Sequence, residues 1–243
     1  MSTFLIMMAL VIFIIGVSKG GLSGTVGVLA TPLMILVMPA DKVIGLLLPI
    51  LIIADILAIA SHWRKWDTKL ILLLIPGGIV GVILGSFLIS LISPLALKRG
   101  IGLIVLLFII YKLFEQHWIN TTAYQSRSWH GILAGTAAGI SSTMAHTGGP
   151  PIVIYLLLQN ISPRVFVATS ALYFGILNLL KIPSYIFIGL FDFDLFRQIV
   201  LLLPLLPLGV WVGKMMAEKI NKVVFERIVL FFLVISAFFL LFR

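Results

Sequence analysis

The sequence predicts an all-α polytopic membrane protein. It reads as two repeats of about four membrane segments each, inverted relative to one another, with the first segment of each half broken or re-entrant. Three observations carry this reading. Hydrophobic residues make up 61% of the 243-residue chain and charged residues only 10%, with a mean hydropathy of +1.24, where a soluble domain carries about 25% charged residues. The apolar residues fall into eight runs, most of them near the roughly 20 residues that a helix needs to cross a hydrocarbon core. Finally, the two halves match each other position by position, and each begins with a polar, glycine-rich interruption.

Taken in order, the runs cover about 3–38, 43–61, 69–92, 98–116, 130–158, 165–190, 195–217 and 223–242. The first is too long for one helix. Its parts, 3–17 and 22–38, are roughly 22 and 25 Å long at 1.5 Å per residue, each short of a core of about 30 Å. Between them stands Gly16-Val-Ser-Lys-Gly-Gly-Leu-Ser-Gly-Thr-Val-Gly27. The fifth run, 130–158, is also long, and Gly139-Ile-Ser-Ser-Thr-Met-Ala-His-Thr-Gly-Gly-Pro-Pro151 interrupts it. The other six read as single spans. The longest polar stretch, about Glu115 to His130, reads as a loop. The N-terminus lacks the basic region of a secretory signal and reads as a retained first membrane segment.

The internal match runs at a constant offset of 128 over Pro76/Pro204, Gly81/Gly209 and Gly85/Gly213, and it sets Lys98-Arg99 on Glu226-Arg227. Upstream, Asp41-Lys42-Val43 pairs with Pro163-Arg164-Val165, and Trp66-Asp67 with Phe191-Asp192. This implies a duplication: an N-terminal repeat at 1–118, a connecting loop at 119–127 and a C-terminal repeat at 128–243, forming one membrane domain. If each broken segment enters and leaves on one side, each half makes three crossings and the repeat inverts. Ten loop Lys and Arg residues then gather on one face against five on the other, the bias the positive-inside rule requires. Both termini then lie outside a multi-pass cytoplasmic membrane protein.

The formal charge of +9 and pI near 10.0 reflect these loop cations rather than nucleic-acid binding. His62-Trp63-Arg64-Lys65-Trp66 reads as an interfacial belt. Cysteine is absent, which excludes disulfides and thiolate chemistry. No cofactor and no metal is expected. The expected partners are a small anionic substrate and the lipid bilayer, with a homodimer left open.

Backbone freed from a helix inside a membrane must be buried in protein or line a cavity, and two such breaks in matching halves point to a transporter with a central site. Gly148-Gly149-Pro150-Pro151 reads as the end of an unwound stretch and the start of a half-helix, since proline suits a first helical turn. The N-terminus of such a half-helix is a natural anion site. The expected substrate-binding residues are Ser18, Lys19, Gly20, Gly21, Ser23, Thr25 and Thr31 on one wall. Ser142, Thr143, His146, Thr147, Gly148 and Gly149 form the other, and Ser141 adds a hydroxyl nearby. Lys19 is either a cation that attracts the anion or a lysine that snorkels from a hairpin tip. His146 either donates to the anion or carries a proton, or is satisfied by nearby backbone. Asp55, deep in an apolar run, is the expected coupling residue, because intramembrane carboxylates are expensive and functional by default. It either binds a coupling proton or neutralises Lys19. Asn178 is its mate in the pathway. Lys181 flanks the pathway or marks a kink before Pro183. Gly77, Gly81, Gly85, Gly209 and Gly213 read as close helix contacts, and Asp192 and Asp194 as a solvated turn.

The Ser18-Lys19-Gly20-Gly21 turn, Thr31-Pro32, and His146-Thr147-Gly148-Gly149-Pro150-Pro151 opening the second half resemble the TauE/SafE family, over essentially the whole chain. The resemblance implies inner-membrane export or permeation of sulfite, sulfoacetate and related organosulfur anions, driven by a proton or by the membrane potential. The expected function is therefore a secondary transporter of a small sulfur-containing oxyanion. The alternatives are an anion channel of the same architecture or, less so, a membrane-embedded enzyme.

Overall fold

A computed structural model of the chain describes residues 2–20, 27–121, 127–159, 161–219 and 222–242. Helix α1 spans Ser2–Gly20. A 3-10 turn, Gly27–Leu29, leads into the short α2, Ala30–Ile35. Then come α3 (Ala40–Ser61), α4 (Thr68–Leu91), α5 (Pro94–Thr121), α6 (Ser128–Ala145), α7 (Gly149–Leu157) and α8 (Pro163–Phe187). The chain ends with α9 (Phe193–Ile199), α10 (Leu205–Lys219) and α11 (Lys222–Phe242). No strand occurs among the described residues.

Local chemistry fixes several starts. The Asp67 carboxylate accepts from the backbone N–H groups of Lys69 and Leu70 and caps α4. The Ser162 hydroxyl accepts from Val165 N–H at the head of α8, with Pro163 in the first turn. These contacts satisfy amides that a helix leaves unpaired. Among the described residues, five helices are long and apolar enough to cross a membrane: α1, α3, α4, α5 and α8. A sixth span results if α9, its following 3-10 turn and α10 count as one element bent by 54°. The outer surface is oily, with Phe187 and Leu201 about nine-tenths exposed, as suits a lipid-facing surface rather than a watery one.

Three expectations need correction. The 195–217 run is not one straight span. It breaks before Pro204, whose ring and missing N–H oppose helix continuation; its counterpart Pro76 sits inside the unbroken α4. The loop expected from Glu115 is shorter, because α5 runs on to Thr121. And the described parts of the polar interruptions are largely helical: α1 continues to Gly20, and α6 continues through Gly139 and Ser142 to Ala145. Ser141 accommodates the helix by donating to the Ala137 carbonyl at 2.8 Å, the back-bond that lets a hydroxyl sit mid-helix.

Glycines 16 and 139 belong to packing seams instead. α1 packs along α10 and α4 along α6, while α5 meets α11 and α3 meets α8. The broken helix of each half therefore lies against a late helix of the other half. The seams are backbone to backbone. A methyl on Gly209 would sit 2.5 Å from the Phe13 carbonyl oxygen and 3.0 Å from Gly16 Cα. A methyl on Gly139 would sit 2.8 Å from Gly81 Cα. Small residues allow this approach, which gives van der Waals contact where lipid supplies no hydrophobic drive.

Candidate functional site: a buried polar floor beneath a cavity

The two broken elements and helices α3 and α8 surround a cavity of about 160 Å³. Its polar lining includes Ser18, Lys19, Ser142, His146 and Asn178, together with the Thr147-Gly148-Gly149 backbone. Leu51, Val153, Phe166 and Phe174 supply apolar wall.

Behind that lining runs a continuous chain of polar contacts. Lys19 stands in the last turn of α1, where a cation suits the negative end of the helix dipole. Its ammonium pairs with the Asp55 carboxylate and lies 5.6 Å from the Phe174 ring centroid. Asp55 is 1% exposed, and its second oxygen accepts from Asn178 Nδ2 at 2.6 Å. Asn178 and Lys181 are three residues apart on α8 and so share a face. Lys181 is fully buried. Its Nζ donates to Asn178 Oδ1 at 2.8 Å, to Ser142 Oγ at 2.7 Å and to the Ser142 carbonyl at 2.9 Å. The ammonium's three N–H donors thus meet three acceptors. The chain Lys19–Asp55–Asn178–Lys181–Ser142 forms the floor of the cavity.

The end of α6 explains several other residues. A helix leaves its last carbonyls without intrahelical partners, and here side chains supply them. Lys181 takes the Ser142 carbonyl. The Tyr185 hydroxyl donates to the Thr143 carbonyl at 2.6 Å, and the Thr31 hydroxyl donates to the Ala145 carbonyl at 2.8 Å. Thr147 Oγ1 reaches the Ser141 carbonyl at 3.4 Å. The α6–α7 turn holds His146 at φ 54°, a left-handed conformation uncommon for a residue with a Cβ. The imidazole secures it: Nε2 lies 2.9 Å from the Ile44 carbonyl on α3. Facing a carbonyl, Nε2 carries a proton and donates it, while Nδ1 is buried without a partner.

The structure therefore sorts the expected site residues. Ser18, Lys19, Ser142, His146, Thr147, Gly148, Gly149 and Asn178 line the cavity, and Asp55 stands one contact behind. Thr31 caps α6. Thr143 is fully buried with its Cβ against Gly85, and Gly20 packs on Val210; neither is part of the cavity wall. Gly21, Ser23 and Thr25 lie outside the described residues. The half-helix reading of α7 holds for its start at Gly149, but Pro150 and Pro151 have no N–H to offer, so its first turn presents fewer amides than expected. His146 is satisfied by backbone at Nε2. Lys19 reaches a carboxylate rather than a membrane surface, and Asp55 is its counter-ion.

Lys181 was readable as flanking the pathway or as marking a kink before Pro183; the structure makes it the hub of the floor. Its signal was its place one turn after Asn178. Phe174 and Tyr185 had none. Asp192 caps α9 and accepts from Lys42 at 3.1 Å, and neither residue lines the cavity. The Leu195 N–H, and then Lys42, hold its carboxyl below the usual carboxylate range.

No curated protein and no solved structure matches the chain. A family model does: the one described as sulfite exporter TauE/SafE matches residues 8–240, nearly the whole length. With that coverage, and with membrane-length helices around a buried polar floor, the chain belongs to the TauE/SafE family of membrane transporters.

Proposed function

We propose that the protein is a secondary transporter that moves a small sulfur-containing oxyanion across the cytoplasmic membrane, coupled to protons or to the membrane potential. Sulfite, sulfoacetate or a similar organosulfonate is the substrate. One observation carries the reading: the floor of the cavity holds two lysines and a single carboxylate. Its formal charge is one positive unit in excess. An uncompensated charge in a low-dielectric interior is costly, and an anion seated beside Lys19 offsets it. Family membership supports the sulfur chemistry.

The geometry also suggests how coupling works. An anion that takes up Lys19 leaves Asp55 without its cation, and a coupling proton is the other positive charge that can compensate that carboxylate. Proton uptake at Asp55 and anion binding at Lys19 then favour one another. The Lys and Arg distribution supports termini on the outer side.

The test is flux. Purified protein in liposomes is offered sulfite, sulfate, thiosulfate, sulfoacetate and taurine, with and without a pH gradient. Saturable uptake that responds to the gradient and disappears in Lys19→Ala is the expected result. Unsaturable, gradient-independent flux points to a channel, and absence of uptake of all five removes the substrate class.

A further inference from the structure

We propose that the Lys42–Asp192 ion pair is a latch that closes one end of the transport path, and that Arg164 and Asp67 form the reciprocal latch at the other end when the first one opens. This rests on the transport reading and names how access to the cavity switches sides.

The two pairs are one pair read in opposite halves. Lys42 corresponds to Arg164, and Asp67 to Asp192, in the internal match. Both cations stand in the first turn of a helix, Lys42 in α3 and Arg164 in α8. Both aspartates cap the helix that follows, Asp67 at α4 and Asp192 at α9. Helices α3 and α8 run antiparallel. Gly45, near the start of α3, packs on the Leu190 carbonyl beyond the end of α8. Asp55 meets Asn178 midway. Beyond the end of α3, the Asp67 N–H donates to Thr169 Oγ1, near the start of α8, at 3.0 Å. Asp55 and Asn178 are counterparts that touch each other, so the pseudo-two-fold axis relating α3 to α8 passes between them. A half-turn about it carries the Lys42–Asp192 end onto the Arg164–Asp67 end.

The two ends are in different states. At the first, Lys42 Nζ donates to Asp192 Oδ2 at 3.1 Å. Val43, Ile44, Leu47 and Leu48 there are 0% exposed, and no α3 residue before Leu51 lines the cavity. At the second, Arg164 is exposed and forms no ion pair among the described residues. The Asp67 amide sits against Thr169 instead, five residues and more than one turn along α8 from Arg164. The cavity extends to this end, where Ala58 of α3 and Phe166, Val167 and Ser170 of α8 line it. One latch is made over a sealed end, and its counterpart is unmade beside the cavity. Slippage of one packed element past another by about a turn is an established switching movement, and two opposed repeats that rock about a fixed site exchange their open and closed ends. The fixed site here is the floor around Asp55 and Asn178. In the exchanged state, Leu47 takes the place that Ser170 holds now, at the offset of 123 residues that relates Asp55 to Asn178.

The chain contains no cysteine, so one introduced thiol reports alone. Leu47→Cys in detergent-purified protein is treated with N-ethylmaleimide and the labelling rate is measured. It should be slow, because the position is sealed. Adding Lys42→Gln, whose one described polar contact is Asp192, should raise the rate about two- to fivefold, the range that one partly exposed ion pair supplies. Adding Arg164→Gln, which breaks no ion pair in this state, should lower it by a similar factor. The two together should return it close to the starting value. Leu48→Cys serves if Leu47→Cys does not fold. A rate that both substitutions move in the same direction, or that either leaves unchanged, overturns the inference, as does absence of labelling in every variant. Labelling needs no substrate, so the two readings fail separately: absence of sulfite uptake in liposomes fails the transport reading, whereas unresponsive labelling with normal uptake fails the latches alone.

Discussion

Each half of the chain contributes one lysine to the cavity floor, and the two bridges run in opposite directions. At an offset of 123 residues, Gly16 falls on Gly139, Lys19 on Ser142, Asp55 on Asn178 and Ala58 on Lys181. In the first half the lysine stands on the broken element, α1, and reaches into α3. In the second half it stands on α8 and reaches back to the broken element, α6. Each half thus ties its broken helix to the helix behind it with an ammonium, but only the first bridge ends on a carboxylate. The lesson is that a duplicated scaffold can keep its contacts while its charges drift apart. The surplus cation of the floor is the product of that drift.

The hardest blow to the comparison is Asp55→Asn. It leaves two ammonium groups facing two amides, with no counter-ion. Breaking a buried pair from one side costs about 3–5 kcal/mol, so the variant should lose that much stability in detergent melts and lose flux. Adding Lys19→Met should restore part of the stability but no transport. If Asp55→Asn melts like the native protein, the floor is not held by charge. Next comes the contrast between the bridges. Lys19→Ala and Lys181→Ala should each cut sulfite uptake more than about tenfold, the effect of losing one contact worth about 1.4 kcal/mol. Near-native uptake in Lys19→Ala would remove it from the path.

The glycine seams come third. Gly16→Ala and Gly139→Ala should each destabilise by about 1–3 kcal/mol through overpacking. Similar costs support two equivalent seams; a large cost at one alone breaks the equivalence. A smaller effect is expected from Tyr185→Phe, which strips the Thr143 carbonyl of its donor for about 1 kcal/mol. The smallest lies at the surface. Asp192 has its pKa lowered on folding, so its contribution is present at neutral pH and above, and is lost as pH falls through the depressed folded-state value. The melting difference between native protein and Asp192→Asn should therefore shrink on acidification; a pH-independent difference sinks that reading.

Much of this was legible in the amino-acid order. Apolar runs announced the spans, and the start of α7 followed from Gly149-Pro150-Pro151. The depth of Asp55 in an oily run marked it as special before any partner was known. The glycines misled, because Gly16 and Gly139 meet other helices rather than unwinding their own. The contact between α1 and α10 leaves a four-residue glycine spacing in each segment, Gly16/Gly20 and Gly209/Gly213, but nothing in one dimension pairs the two. Thr31 misled for a related reason: a hydroxyl that caps a broken helix and one that touches a ligand look the same in one dimension. Lys181 was underrated because its acceptors come from α6 and from its own helix, and only folding brings the two together.

The seam between α1 and α10 also sets a timetable for making the protein. Gly16 leaves the ribosome some 190 residues ahead of its partner Gly209, roughly 10–40 s at 5–20 residues per second. For that interval the first helix enters the bilayer with its closest neighbour still unsynthesised, and Lys19 waits until Asp55 has followed it in. Newly inserted chains should therefore pass through a period in which the N-terminal helix is open to insertion factors or to quality-control proteases. A chain that stops short of α10 leaves that helix unclaimed.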